Sequence, residues 1–236
     1  MKTIGLIGGM SWESSLEYYR LVNEGVKARL GGYHSARCVM VSVDFAEIEA
    51  FQRSGEWDQA ARVLVAAACA LERSGADCVV LCTNTMHLVA ESIQSAVEIP
   101  FLHIADATAE KICKAGIRRI GLLGTRFTME EDFYKQRLAD RFGLEVLIPD
   151  KDQRDLIHRV IYDELVMGII LEDSRRAFQS IIASLIDKGA QAIILGCTEI
   201  GLLIKPGDSP VPLFDTTLIH AEAAVNFCLA GDYPNP

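Results

Sequence analysis

The chain has 236 residues, half of them hydrophobic, which suffices for one large domain or two small ones with their own cores. A formal net charge of −9 argues against a nucleic-acid partner, because phosphate binding requires clustered lysine and arginine. Seven cysteines without zinc-type spacing predict reduced thiols and no metal site. Because there is neither a basic-then-apolar leader nor an apolar run of spanning length, we expect a soluble, cytoplasmic protein without membrane contact.

Strand-like apolar runs alternate with segments of helical period along the chain, which predicts parallel sheets covered by helices on both faces. The predicted strands are 3–7, 38–43, 78–82, 101–104, 119–123, 145–148, 192–195 and 211–214. The predicted helices are 14–30, 57–74, 86–96, 106–115, 129–142, 151–167, 172–188 and 215–229.

The two halves of the chain resemble each other. Ile4–Met10 is similar to Ile120–Thr125, and the spacing from Gly5 to Thr83 nearly equals that from Gly121 to Cys197. We therefore predict an α/β fold of two pseudo-symmetric lobes, each a parallel four-stranded sheet flanked by helices, with the active site in the cleft between them. Lobe one would comprise 1–115 and a C-terminal return, 211–236, and lobe two 116–210.

Two short polar segments follow apolar strands: Cys82–His87 after the third strand and Gly196–Glu199 after the seventh. Open α/β sheets bind ligands at the carboxyl ends of their strands, so these segments predict a site for a small polar molecule. Cys197 is the strongest candidate for chemistry. A thiol between a strand end and a helix start can have its pKa lowered toward neutrality, which supplies a thiolate.

The register of the first segment is open from the residues alone. Internal symmetry can match Cys82-Thr83-Asn84 to Cys197-Thr198-Glu199, which places Cys82 in the site. Alternatively Thr83 corresponds to Cys197 and Cys82 lies one residue too early. A one-residue slip sends a strand side chain to the opposite face, so only one of the two can be right.

These motifs resemble those of the cofactor-independent aspartate/glutamate racemases, which carry Cys-Asn-Thr-x-His in lobe one and Gly-Cys-Thr-Glu in lobe two. The resemblance covers essentially the whole chain and includes Gly8–Ser14 and Leu123–Met129. It implies that two side chains flank the substrate α-carbon, one removing the α-proton and the other protonating the opposite face. It also implies a homodimer that needs neither pyridoxal phosphate nor metal.

The resemblance assigns catalytic roles to Cys197 and Thr83, and Thr83 stands where the family has its first cysteine. The matches of Asn84, Thr85 and His87 favour this register. A hydroxyl is a far poorer acid and base than a thiol, so Cys197 would be the only good base. In related glutamate racemases the second-lobe cysteine faces the proton of the L-enantiomer, which implies a preference for L-substrates.

Other polar residues at the predicted strand ends are candidate substrate-binding groups, with helix capping as the alternative role for several of them. Gln52 and Arg53, in a predicted loop, are candidates for contact with a side-chain carboxylate. Met167 replaces a lysine found in several family members, which implies broader substrate specificity. The substrate-binding candidates are Met10, Ser11, Gln52, Asn84, Thr85, Thr125, Thr198 and Glu199.

The sequence thus predicts a cofactor-independent amino-acid racemase of the aspartate/glutamate type. One alternative is a decarboxylase or isomerase on the same scaffold that uses a single thiol to protonate one face of an enediolate. The other is a small-acid binding protein without turnover. Chiral product analysis separates the first alternative from a racemase, and exchange of the α-proton with solvent separates the second.

Overall fold

The computed structural model describes residues 1–230, which form two compact units. Unit one comprises Met1–His103 and the described residues from His220 onward, and unit two is Ile104–Ile219. Each unit contains one four-stranded, all-parallel sheet. The α/β architecture with two helix-flanked parallel sheets is therefore confirmed.

All eight predicted strands are present, with ends shifted by a residue or two. The strands are β1 Ile4–Gly8, β2 Cys38–Ser42, β3 Cys78–Leu81, β4 Phe101–Leu102, β5 Arg119–Gly124, β6 Glu145–Leu147, β7 Ala192–Gly196 and β8 Leu213–Asp215. Their order is β2-β1-β3-β4 in unit one and β6-β5-β7-β8 in unit two, so the two units repeat one topology.

The helices largely follow the prediction, with two additions and some breaks. They are α1 Trp12–Leu30, α2 Phe45–Ser54, α3 Trp57–Arg73, α4 Ala90–Ser95, α5 Ile104–Lys114, α6 Arg126–Glu130, α7 Asp132–Phe142, α8 Lys151–Asp163, α9 Glu172–Asp187, α10 Ile200–Leu203 and α11 Thr216–Leu229. Neither α2 nor α10 was predicted. Short 3₁₀ turns cover Thr85–Val89, Leu165–Met167 and Pro206–Asp208.

The unit boundaries differ from the expected lobes. Helix α5 belongs to unit two, where its Asp106 pairs with Arg137 at 2.5 Å and with Arg141 at 2.7 Å. Strand β8 pairs with β7 of unit two, so the final strand does not return to unit one. Only the helical residues from His220 onward do so, and residues 231–236 of the expected return lie outside the described residues.

The sheet of unit one is covered on both faces by apolar side chains, as expected for parallel strands buried between helices. Ile7, Val79 and Leu81 pack on one face with side chains of α2 and α3. Leu6, Val80 and their neighbours pack on the other with side chains of α1 and α11. Unit two has one continuous core around β5 and β7. In both units the buried strands lead to polar segments at their carboxyl ends.

Candidate active site

The loop after β1 is a rigid turn that also caps a helix. Ser11 is the N-cap of α1, and its Oγ accepts a hydrogen bond from the Ser14 amide at 3.4 Å. The Ser15 hydroxyl donates to the Ser11 carbonyl at 2.9 Å and accepts from the Gly9 amide at 2.7 Å. Met10 and Ser11 are both buried. The capping role of Ser11 is thus observed, at the carboxyl end of the sheet of unit one.

The segment after β3 turns sharply into the 3₁₀ turn. The Thr83 amide donates to the Leu81 carbonyl at 2.8 Å, and His87 Nδ1–H donates to the Thr83 carbonyl at 2.7 Å. Thr83, Asn84 and Thr85 are all buried polar residues. The His87 ring lies edge-on to the rings of Phe101, His103 and His220, all of this unit. The His87 imidazole therefore holds the backbone of Thr83 in place through its carbonyl group.

Cys82 lies in the core. It joins Cys78 and Val80 in the cluster beside Tyr18 of α1, and it is completely buried. Burial raises the pKa of the Cys82 thiol far above its usual value, because a thiolate would lose its hydration there. Cys82 is therefore placed as a neutral packing residue, and Thr83 is the next residue along the chain.

Gln52 lies in helix α2 and not in a loop as expected, and the same correction applies to Arg53. Asp44 caps this helix by accepting from the Ala46 amide at 3.1 Å. Gln52 is buried, and its Nε2 donates to Met86 Sδ at 3.1 Å. The amide is therefore directed toward the 3₁₀ turn that follows Thr83. Arg53 is largely exposed.

In unit two, the loop after β5 repeats the arrangement after β1. Thr125 is the N-cap of α6, and its Oγ1 accepts from the Thr128 amide at 3.3 Å. Its hydroxyl also lies 3.2 Å from that of Thr128, and both residues are buried. The Arg126 amide donates to His158 Nδ1 at 3.2 Å, which anchors the loop to α8. Thr125 thus caps a helix at the carboxyl end of the second sheet.

The segment after β7 is built around one carboxylate. The Cys197 thiol donates to Glu199 Oε2 at 2.9 Å, and the Thr198 hydroxyl donates to the same oxygen at 2.8 Å. All three residues are buried; Cys197 retains 7% exposure and Glu199 3%. The three consecutive side chains therefore form one hydrogen-bonded cluster at the sheet edge.

The pKa of the Cys197 thiol is raised well above its usual value, first by burial and then by the charge of Glu199. The expectation that a strand-end position lowers this pKa is wrong. The amides of Glu199 and Ile200 do lower it, but their effect is smaller than that of burial. The thiol is therefore protonated at rest, and its thiolate would be a strong base.

The strand ladders define the correspondence between the two segments. Gly5 pairs with Val79 in unit one, and Gly121 pairs with Ile193 in unit two. Thr83 lies four residues beyond Val79, and Cys197 lies four residues beyond Ile193. Thr83 and Cys197 therefore occupy equivalent positions of the repeated topology, whereas Cys82 corresponds to Gly196. The alternative register, with Cys82 matched to Cys197, does not agree with the ladders.

Residues 7–224 match the family model for Asp/Glu/hydantoin racemases. The chain belongs to this family. A crystal structure of a candidate Asp/Glu racemase from Yersinia pestis is 54% identical, covers 97% of this chain and 100% of its own, and superposes with a TM-score of 0.91.

Two other family relatives span different shares of the chain. An aspartate racemase homologue from Pyrococcus horikoshii OT3 is 37% identical, with coverage of 97% and 99% and a TM-score of 0.84. The broad specificity amino-acid racemase RacX of Bacillus subtilis (strain 168) is 27% identical over 176 residues, or 73% of this chain and 74% of RacX.

Sequence reasoning missed three polar or sulfur-bearing residues beside the candidate positions. Met86 accepts the Gln52 hydrogen bond, and Thr128 shares the Thr125 cap. Thr217 follows β8 with a buried hydroxyl. The last had a readable signal, Asp215-Thr216-Thr217 directly after a strand. Among residues 1–230, no three or more His, Cys, Asp or Glu side chains are grouped so as to hold a metal ion, and none of the helices there is long and apolar enough to cross a membrane.

Proposed function

We propose that this chain is an amino-acid racemase of the aspartate/glutamate type that works without a cofactor, with Cys197 and Thr83 acting on opposite faces of the substrate α-carbon. The observation that carries the proposal is the equivalence of these two residues in the repeated ladders, in a chain that belongs to a racemase family. A pair of equivalent proton-transfer groups suits a reaction in which one bond is broken on one face and remade on the other.

On the Cys197 side, the thiolate removes the α-proton of an L-amino acid, leaving the electron pair in an enediolate of the substrate carboxylate. The Cys197 thiol must first lose its own proton, and Glu199 is its hydrogen-bond acceptor at 2.9 Å. An approaching substrate ammonium group would further favour the thiolate, because an opposite charge stabilises the ionised form. The raised pKa then makes the thiolate a strong base toward a weakly acidic α-carbon.

On the Thr83 side, the Thr83 hydroxyl donates its proton to the opposite face of the α-carbon and takes one back from solvent, while the Cys197 thiol releases its proton before the next turnover. A hydroxyl transfers protons less readily than a thiol at neutral pH, so this step is the slower one. We infer that L-substrates exchange their α-proton faster than they invert and that D-substrates react poorly. His87 supports this side by holding the Thr83 carbonyl at 2.7 Å.

The remaining candidates hold the substrate. Side-chain or backbone donors of Asn84, Thr85, Thr125 and Thr198 would bind the carboxylate and stabilise the enediolate. Backbone groups of the Met10–Ser11 loop and the Gln52 side-chain amide would contact the remainder of the substrate. Glu199 orients the thiol. Met167 is 69% exposed and offers no cation for a second carboxylate, so the tested substrates should include neutral amino acids.

The setting of the reaction is also a proposal. All seven thiols are free, which favours a reducing, cytoplasmic compartment. Trp12, Leu16 and Tyr19 are exposed on one face of α1, at the i, i+4 and i+7 spacing of a helical stripe. We propose that this stripe contributes to a homodimer. Sedimentation analysis of the wild type and of Leu16→Glu tests the assembly, and a wild-type monomer would contradict it.

The decisive experiment is α-proton exchange in D₂O, measured by NMR for L- and D-aspartate, glutamate and neutral amino acids, with chiral analysis of the products. We expect exchange from the L-enantiomers and slower formation of the D-enantiomers, ending at equal amounts. A chain that binds amino acids without exchange would be a binding protein. Decarboxylation of malonate-type acids without racemisation would support the single-thiol alternative.

A further inference from the structure

The first turn of α11 lies against the segment that carries Cys197. The Thr216 hydroxyl donates to the Leu195 carbonyl near the end of β7 at 2.9 Å. Asp215 Oδ1 accepts from the Thr217 amide at 2.9 Å, and a Cβ at Gly201 would lie 2.2 Å from Asp215 Oδ2. The end of β8 and the start of α11 therefore contact Gly201 and Leu195, which lie on either side of Cys197 in the chain.

Thr217 itself has an unusual hydroxyl. The residue is 2% exposed, and within residues 1–230 its Oγ1 is buried without a hydrogen-bond partner. A threonine inside a helix commonly donates to the carbonyl one turn earlier, as Thr108 does to Ile104 at 2.8 Å. Thr217 lies in the first turn and makes no such bond. Burying an unsatisfied hydroxyl is unfavourable, so Thr217 retains a donor that a ligand could satisfy.

The ladder of unit two places Thr217 at the same sheet edge as the candidate base. Leu195 pairs with Asp215 between β7 and β8. Cys197 and Thr217 each lie two residues beyond that pair. Asp215 Oδ1 already accepts from the amides of Thr217 and Leu218 at the start of α11, so the Thr217 hydroxyl, and not the helix terminus, is the donor left for a ligand.

We propose that the Thr217 hydroxyl binds a carboxylate oxygen of the substrate held at Cys197. The inference rests on the proposed function, because it assumes that an amino acid occupies the edge beside this thiol. The hydroxyl, an unsatisfied buried donor, would then donate to the anion. Thr217 is thus a binding residue additional to Thr125 and Thr198, contributed by the first turn of α11, which follows the neighbouring strand β8 of the same sheet.

The test compares two adjacent threonines, Thr216, whose hydroxyl is hydrogen-bonded, and Thr217, whose hydroxyl is not. Thr217→Val removes an unbonded hydroxyl, while Thr216→Val removes one that is bonded to the Leu195 carbonyl. Four proteins are compared: the wild type, Thr217→Val, Thr216→Val and Thr217→Ser. For each we measure thermal unfolding without ligand and, by calorimetry, the binding of L-aspartate, L-glutamate and neutral L-amino acids. The rate of α-proton exchange is recorded separately at saturating substrate.

We expect Thr217→Val to bind about tenfold to a hundredfold more weakly, the range for a lost hydrogen bond to a charged group, with an unchanged or higher melting temperature. Thr217→Ser should bind like the wild type, and Thr216→Val should lose stability but not affinity. Unchanged affinity in Thr217→Val, or destabilisation equal to that of Thr216→Val, would overturn the inference. Wild-type binding without exchange would instead overturn only the proposed reaction, and absence of all binding would overturn both.

Discussion

The polar segments after β3 and β7 occupy the same place in two copies of one topology, yet they place their thiols differently. After β3 the thiol comes one residue early, at Cys82, and is packed in the core with Tyr18 and Val80. After β7 the equivalent residue is Gly196, and the thiol comes next, at Cys197, bonded to Glu199. In unit one the cysteine is therefore completely buried, and the Thr83 hydroxyl takes the position that the Cys197 thiol has in unit two; Thr83 and Cys197 are both 7% exposed.

Packing explains why the two strands cannot exchange this pattern. A Cβ at Gly196 would lie 2.8 Å from Leu122 Cδ1 and 2.8 Å from the Leu123 carbonyl, so unit two has no space for a side chain there. Unit one provides that space between its sheet and helices α1 and α11. A cysteine near a strand end is thus informative only after its face is known.

The largest effect on activity is expected when the thiol of unit two, Cys197, is removed. Cys197→Ser should reduce α-proton exchange from L-amino acids by about 10²–10⁴-fold or more, because a positioned base contributes that much and a serine hydroxyl is too weakly acidic to replace a thiolate. The measurement is NMR exchange in D₂O at matched protein concentration.

Cys113→Ser serves as the control, since Cys113 of α5 also lies in unit two and donates its thiol to the Phe142 carbonyl at 3.8 Å. It should leave the exchange rate unchanged. Retention of most exchange in Cys197→Ser would remove the thiol of unit two from the reaction.

The second prediction makes the two units alike. Thr83→Cys should raise the exchange and inversion of D-aspartate by up to about 10²-fold, because it places a thiol at the position equivalent to Cys197. Exchange of L-aspartate should change little, since Cys197 is untouched. Equal L- and D-exchange in the wild type, with no gain in the variant, would show that Thr83 is not the partner of Cys197.

The strands and the repeat could be predicted because apolar runs identify buried parallel strands directly. Helix α2 was missed although Asp44 and Gly55 mark its ends, because it is only ten residues long and buries few side chains. Short helices of this kind depend on tertiary packing more than on local preference. The pairing of β8 with β7 is likewise a long-range event that no local pattern reports.

The site was predicted less completely, for a related reason. The motifs identify the strand ends that carry polar residues, but the face of Cys82 depends on the space beside Tyr18. The direction of the Cys197 pKa shift depends on how deeply the thiol is buried and on the Glu199 carboxylate. Both are properties of the packed structure, so neither can be read from motif spacing.

A third prediction concerns that carboxylate. Removing the negative charge in Glu199→Gln should lower the pKa of the Cys197 thiol, because the charge disfavours the thiolate. Below its pKa, the thiolate fraction rises about tenfold per pH unit, so the exchange rate should increase with pH in the wild type. In Glu199→Gln the same rise should be displaced to lower pH.

The exchange rate is measured from about pH 6 to about pH 10 at saturating L-aspartate. The lower end of this range lies well below the raised pKa of the Cys197 thiol. Glu172→Gln is a suitable control, since Glu172 is on the exposed side of α9 and pairs with Arg175 at 3.1 Å. An unshifted or upward-shifted profile in Glu199→Gln would mean that this carboxylate assists deprotonation more than it opposes it.

The smallest effect on activity is expected at Cys82. Cys82→Ala should leave α-proton exchange and inversion within about twofold of the wild type while lowering the free energy of unfolding by about 1–2 kcal/mol, because it removes a packed side chain from the core of unit one.

Cys78→Ala provides the matched control. Cys78 lies in the same cluster and is equally buried, but it stands at the opposite end of β3. The two variants should lose similar stability and retain similar activity. Loss of turnover in Cys82→Ala alone, at a melting temperature equal to that of Cys78→Ala, would mean that the buried thiol takes part in proton transfer. Thr83 and Cys197 would then be equivalent in backbone position but would not be the two proton-transfer groups.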